Sequence, residues 1–185
     1  VASAALLVRT LMNLRAIPTG FDLHHVALLS VDPEAAQYNV ARLRQYYMEA
    51  EARLAAVPGV TAAGYGRVIP VGFGGSRTTL TVPGYRPAAD EDMEINYNTV
   101  SSGYFSALAI SIAAGRSFDA GDIEGRPAVA VVNETMARRY WPNGPAVGQI
   151  FHEGALTDPP IEVVGVARDV KYRMLREEAG PSFYR

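Results

Sequence analysis

The chain has 185 residues, seventeen basic side chains against nineteen acidic ones for a formal charge of −2, and no cysteine. The length suits one domain or two small lobes, and the absent thiols exclude cysteine nucleophiles, thiolate zinc sites and iron–sulfur clusters. The charge balance is wrong for a phosphate-backbone binder, and at 49% hydrophobic and 19% charged the chain is too apolar to be disordered.

Residues 1–8 are an apolar run cut short at Arg9. A spanning helix needs about 20 residues, and a signal peptide needs a basic stretch first. Three readings stand: the last two turns of a membrane helix, a helix packed on the domain, or a leader. Periodicity predicts a helix over 3–16, stopped at Pro18 and Gly20. VALLSVD (26–32) has the length and character of a strand. Asp32, Pro33 and Glu34 then predict a helix start, with Asp32 as cap and Pro33 at the first helical position. Ala36, Val40, Leu43, Tyr47, Ala50, Leu54 and Val57 recur at spacings of four and three and draw one apolar stripe. Glu49 and Arg53 are spaced for an ion pair, and Pro58–Gly59 ends the helix. Such a stripe needs a surface to lie on. VTAAGYGRVI (60–69) reads as a strand, so the opening is β–α–β.

Residues 70–79 form a glycine-rich loop, and 79–85 and 93–102 are strand-like. GYFSALAI (103–110) is a short helix, followed by a turn-rich connector over 113–122. PAVAVVN (127–133) is a buried strand that runs into a helix over 134–141, with Asn133 as its cap and Pro142 as its stop. Strands follow at 150–154 and 160–170, then a short helix or amphipathic loop at 171–179. The ending GPSFYR has no polar tail, as expected of a segment cut from a longer chain. The pattern is α+β, with more strand than helix.

Little of this sequence carries chemistry. Gly64 and Gly66 begin a dinucleotide fingerprint, but Ile69 holds the third glycine position, and GFGGSR lacks the lysine of a phosphate-cradling loop. His24 and His25 are adjacent on an extended segment and point to opposite faces, which makes them poor co-ligands. His152 sits in a strand, and neither Ser76 nor Ser102 lies in a nucleophile elbow. Asp90, Glu91, Asp92 and Glu94 form an acidic run typical of a solvated turn, and Asp119 and Asp122 lack the spaced acceptors of a calcium loop. Asn133 opens a glycosylation triplet, but helix capping explains it better. Arg138 and Arg139 beside Tyr140 and Trp141 come nearest to a nucleic-acid patch, though one helical turn of that kind packs its aromatics inward. No catalytic, cofactor-binding or metal-binding residue is assigned. The competing reading is a small α+β hydrolase or ligand-binding domain built on His152, Ser102 and dispersed carboxylates.

Five stretches resemble the MacB-like periplasmic core domain of MacB/FtsX-type ABC transporter permeases. They are ALLVRTLMNLRAIPTGFD, LRQYYMEAEARLAAVPGVTAAGYGRVIP, NTVSSGYFSALAISIAAGRSFDAGD, AVAVVNETMARRYWPNGPAVGQIF and IEVVGVARDVKYRMLREEAGPSFYR. The resemblance implies that residues 1–19 are the end of a first transmembrane helix and a linker. It implies a porter-like βαβ lobe over 20–98 with one long amphipathic helix, an inserted smaller mixed lobe over 99–167, and a return toward the first lobe over 168–185. In that family the porter-like lobe has a second βα portion beyond the point where this chain stops. It further implies a non-catalytic domain with no cofactor, on the extracytoplasmic side of a bacterial inner membrane. Its partners would be its own membrane helices, a cytoplasmic ATPase, and a periplasmic adaptor or a second permease copy.

Overall fold

The computed structural model describes residues 9, 12, 19–22, 24–32, 38–70, 75–123, 125–171, 174 and 178–185. The helix expected over 3–16, apart from Arg9 and Met12, which are helical, and most of the segment 171–179 lie outside them. The elements in chain order are α1 (Val40–Ala55), β1 (Ser76–Thr81), β2 (Glu94–Asn98), α2 (Tyr104–Ala107), β3 (Ile112–Gly115), β4 (Ala128–Asn133), α3 (Glu134–Tyr140), β5 (Ile150–Glu153), β6 (Pro160–Ala167) and β7 (Ser182–Tyr184).

Among the described residues the strands form one mixed sheet in the order β3–β6–β4–β7–β2–β1–β5, and β5 pairs back onto β6. Six strands therefore close into a barrel, with β3 joined at its seam. The length of β6 makes the closure possible. Its first residues, Pro160 to Glu162, pair with β5, and Gly165 to Ala167 pair with β3 on the same edge. β4 runs parallel along the other edge, with a register shift that skips Val164. This bulge lets Ile161 and Val163 before it and Val166 after it all reach the same core.

That core fills the barrel and lies under α3: Leu80, Ile95, Val132, Met136, Phe151, Val163 and Phe183 belong to it. A second cluster, with Tyr104, Phe105, Val131 and Tyr184, packs α2 on the opposite face. Successive residues of β4 and β7 alternate between the clusters: Val132 and Phe183 face one, Val131 and Tyr184 the other. A strand buried on both faces needs a continuous apolar run, which explains PAVAVVN. Asn133 then turns the chain into α3, its Oδ1 accepting the Met136 amide at 2.9 Å.

The α+β class holds, and the opening of the chain differs from its expected course. α1 begins at Val40, not at Pro33. Tyr38 and Asn39 are not helical, and Asn39, extended at φ −71° and ψ 165°, accepts the Arg42 amide at 2.9 Å. Asn39 is the cap in place of Asp32, because its short side chain reaches the free amides of the first turn. Residues 33–37 lie outside the described part. Among the described residues the predicted strand 26–32 has no ladder partner, and Leu28, Leu29 and Val31 stay exposed. The predicted strand 60–69 makes a single bridge, Gly66 to Val100. Apolar character alone does not make a strand, which exists only through its pairing. Glu49 and Arg53 do pair, at 3.6 Å. β3 and β7 fall where the sequence reads as connector and tail.

Candidate functional site

The residues of the hydrolase reading do not converge. His152 lies on β5, 7% exposed, with Nδ1 2.7 Å from the carbonyl oxygen of Asp158. A carbonyl only accepts, so Nδ1 carries the proton and the ring fastens the 154–158 turn. The Asp158 carboxylate closes the same turn by accepting the Ala155 amide at 2.7 Å. Ser102 is exposed on the turn before α2. Its neighbour Ser101 is the buried one, and that hydroxyl is bonded to Glu51.

The other candidates are committed to holding turns. Asp22 accepts the His24 amide at 2.7 Å and meets His25 Nδ1 at 2.9 Å, which holds its carboxyl below the usual range, the amide bond contributing most. Ser76 opens β1, and residues 71–74 of the glycine loop lie outside the described part. Asp122 takes both guanidinium nitrogens of Arg116, at 2.6 and 2.9 Å, and Asp119 joins at 3.2 Å, so an arginine occupies the acidic turn. Among the described residues no three His, Asp or Glu side chains gather around a metal position. Arg138 pairs with Asp169 at 3.0 Å, and Tyr140 is buried in the core. The Arg138–Trp141 segment is therefore a packed helix end. A groove of about 520 Å³ lies where β3 and β5 part along β6, lined by Gly115, Arg116, Val147, Gly148 and Glu162.

The acidic run is the exception to a merely solvated turn. The Tyr85 hydroxyl donates to Glu91 at 2.5 Å, the Ala88 amide donates at 2.9 Å, and Arg139 Nη2 lies 2.6 Å away. Arg77 adds Asp92 at 2.8 Å and Glu94 at 2.9 Å. The Tyr85 bond first, then the Ala88 amide and Arg139, pull the Glu91 carboxyl down from 4.5 to about 2. The folded form therefore gains stability from ionised Glu91 above about pH 4.5 and loses it as pH falls toward about 2. Glu91→Gln is expected to flatten the decline of melting temperature across that window, read by circular dichroism. An acid profile that superimposes on the parent's would refute the assignment.

α1 is the element with the most open surface. Leu43, Tyr46, Tyr47, Ala50 and Glu51 are half-buried, and none of its residues is fully buried. Val40 is 75% exposed, Met48 62% and Leu54 39%. The helix rests on the Tyr47–Tyr65 ring contact, centroids 5.0 Å apart, and on Glu51, whose Oε1 accepts from Ser101 Oγ at 3.1 Å. Ser101 Oγ in turn accepts the Tyr65 amide at 3.0 Å. Burial holds the Glu51 carboxyl above the usual range, against the bonds from Ser101 and the Gly103 amide. Sequence reasoning missed Glu51, although its place four residues after Tyr47, on the edge of the apolar stripe, marks it. Among the described residues no helix is long and apolar enough to cross a membrane.

Comparison with known proteins places this architecture. The family model described as the MacB-like periplasmic core domain matches residues 4–183. The macrolide export ATP-binding/permease protein MacB 1/2 of Paracoccus denitrificans (strain Pd 1222) is 32% identical over 68 residues, 37% of this chain and 10% of that protein. The periplasmic region of MacB from Actinobacillus actinomycetemcomitans has a similar fold, with TM-score 0.50 and 14% identity over 80% of this chain and 60% of that one. The extracellular domain of the noncanonic ABC-type transporter YknZ from Gram-positive bacteria aligns with TM-score 0.46 and 22% identity, covering 74% of this chain and 59% of that one. The chain thus spans a tenth of the curated relative and about three fifths of these two solved domains. With a match that runs over nearly its whole length, the chain belongs to the MacB-like periplasmic core domain family.

Proposed function

We propose that this chain is the extracytoplasmic part of an ABC transporter permease, a coupling module with no catalytic residues of its own. Membrane helices driven by a separate cytoplasmic ATPase move it against periplasmic contacts or an efflux path. A periplasmic adaptor or a second permease copy would supply those contacts, and residues 1–19 would be the end of a membrane helix and its linker. The family match over residues 4–183 carries the reading. The engagement of His152, Asp22 and Asp122 in turns supports it against the hydrolase alternative.

The lobes over 20–98, 99–167 and 168–185 belong to the same proposal. β1 and β2 share a sheet with the strands beyond residue 98, so in this proposal the two lobes would meet within one sheet. In this proposal the part that moves as a second body is α1, none of whose residues is fully buried.

The test uses the full-length protein in its native membrane, in a cysteine-free background. Leu156→Cys, at a site 59% exposed on the barrel, is expected to react with a membrane-impermeant maleimide while the inner membrane is intact. Reaction only after that membrane is broken would overturn the location. Trapping the ATPase with ATP is expected to change hydrogen exchange in the α1 region, and exchange indifferent to nucleotide would overturn the coupling.

A further inference from the structure

Three backbone segments meet at Glu51, in the last third of α1. Glu51 faces the Ser101–Gly103 turn, and the segment Ala63–Tyr65 runs against the same turn. Ser101 Oγ donates to Glu51 Oε1 at 3.1 Å and accepts the Tyr65 amide at 3.0 Å, while the Ser101 amide donates to the Tyr65 carbonyl at 2.9 Å. The Gly103 amide also favours the ionised form of the same carboxyl. The approach leaves no room for a side chain at position 103. A Cβ there would run into the Ala63 carbonyl oxygen and come within 2.6 Å of Glu51 Oε1. The packing around this contact is thin, since no α1 residue is fully buried and both ends of its apolar stripe are exposed. A helix held this way is fixed over its second half by a few polar bonds and the Tyr47–Tyr65 ring contact, and not by a core.

We propose that Glu51 is a releasable latch: its carboxyl holds α1 to the Ser101–Gly103 turn of the barrel, and breaking that contact frees the helix to move while the barrel stays folded. The proposal deepens the coupling role above and rests on it for its purpose, though the latch itself is a property of the fold. The physics favours release. A desolvated carboxylate is costly to keep, and Ser101 and Gly103 return only part of that cost. Local opening of a weakly buried element also lies far below global unfolding in free energy. The hydrogen-bonding shape matters more than the charge, so a neutral amide of the same size retains the latch.

Hydrogen exchange of the full-length protein, measured without nucleotide, tests this. In Glu51→Ala the amides of 40–55 are expected to exchange about tenfold faster or more, the effect of losing bonds to a charged group. Segments 128–133 and 160–167 are expected to keep the parent rate. Glu51→Gln is expected to leave α1 at or below its parent rate. Ser101→Ala removes the donor from the barrel side and is expected to speed exchange in α1 as Glu51→Ala does. Unchanged exchange in Glu51→Ala, equal acceleration by Gln and Ala, or barrel segments accelerating together with α1 would each overturn the latch. Failure here leaves the coupling proposal standing, because that one is decided by the response of the parent protein to nucleotide.

Discussion

Phe183→Ala is expected to destabilise the domain by about 3–5 kcal/mol, a large share of the about 5–15 kcal/mol that holds a domain of this kind together. Phe183 is the middle residue of the three-residue strand β7 and has no exposed surface. Its neighbours in the ladder are Tyr97 on β2, parallel, and Val132 on β4, antiparallel, so β7 joins the two halves of the barrel at this residue. Its ring stacks on Tyr97, centroids 5.7 Å apart, and meets Phe151 edge-on at 5.0 Å. Both flanking ladders hold the backbone in place, so the cavity left by alanine cannot collapse. That puts the cost at the high end for a truncation. For a chain of this size, the fall in melting temperature is about 10 °C. Leu156→Ala, at an exposed site, is the control and is expected to fall within about 0.5 kcal/mol of the parent. A loss below about 1 kcal/mol for Phe183→Ala would mean that β7 does not close the barrel.

The legibility of each element follows from where its determinants lie. β4 and α3 are readable because everything that makes them is local: an apolar run, a capping Asn133 and a stop at Pro142. β7 is not readable from its three residues, since its strand character comes from Tyr97 and Val132, far away in sequence. β3 is masked for a different reason. Ala113, Ala114 and Gly115 are small where the chain passes close to β6, and at Gly115, with φ +70°, a Cβ would strike the Val164 carbonyl. Small residues and a glycine read as a turn. Closure of the barrel depends on β6 serving β5 and β3 in succession along one edge, which periodicity cannot express.

The opening of the chain misleads in the opposite direction. Asp32, Pro33 and Glu34 are strong local signals for a helix start, yet α1 is capped by Asn39. The strand-like runs 26–32 and 60–69 have the right composition and, among the described residues, form no ladder beyond the Gly66 bridge. The stripe on α1 is legible, and its expected burial is met only in the middle, at Leu43, Tyr47 and Ala50. Glu51 escaped because apolar periodicity hides a carboxylate at its edge. The functional reading comes from the resemblance of whole stretches, since among the described residues no three His, Asp or Glu side chains gather for spacing rules to find.

Asn133→Ala is expected to cost about 3 kcal/mol, although it removes only a few atoms. The side chain is 2% exposed and stands where β4, α3 and β7 meet. Its Oδ1 accepts the Met136 amide at 2.9 Å and the Ser182 amide at 3.0 Å, and its Nδ2 donates to the Gly180 carbonyl at 2.9 Å. Alanine removes a helix cap, worth about 1 kcal/mol, and leaves the Ser182 amide and the Gly180 carbonyl unpaired. Both groups lie at the entry to β7, so the loss loosens the strand that closes the barrel as well as the first turn of α3. Asn133→Asp separates the roles. It keeps the acceptor and suits the positive end of the helix, but it loses the donor and sets a carboxylate against the Gly180 carbonyl. Its cost is expected to be about half that of alanine, read as the difference in urea midpoint at constant slope. Equal losses for Ala and Asp would assign the whole effect to the Gly180 bond and none to the cap. The same burial governs the glycosylation triplet that begins at Asn133, because an amide nitrogen engaged with Gly180 inside the fold has no path to a sugar.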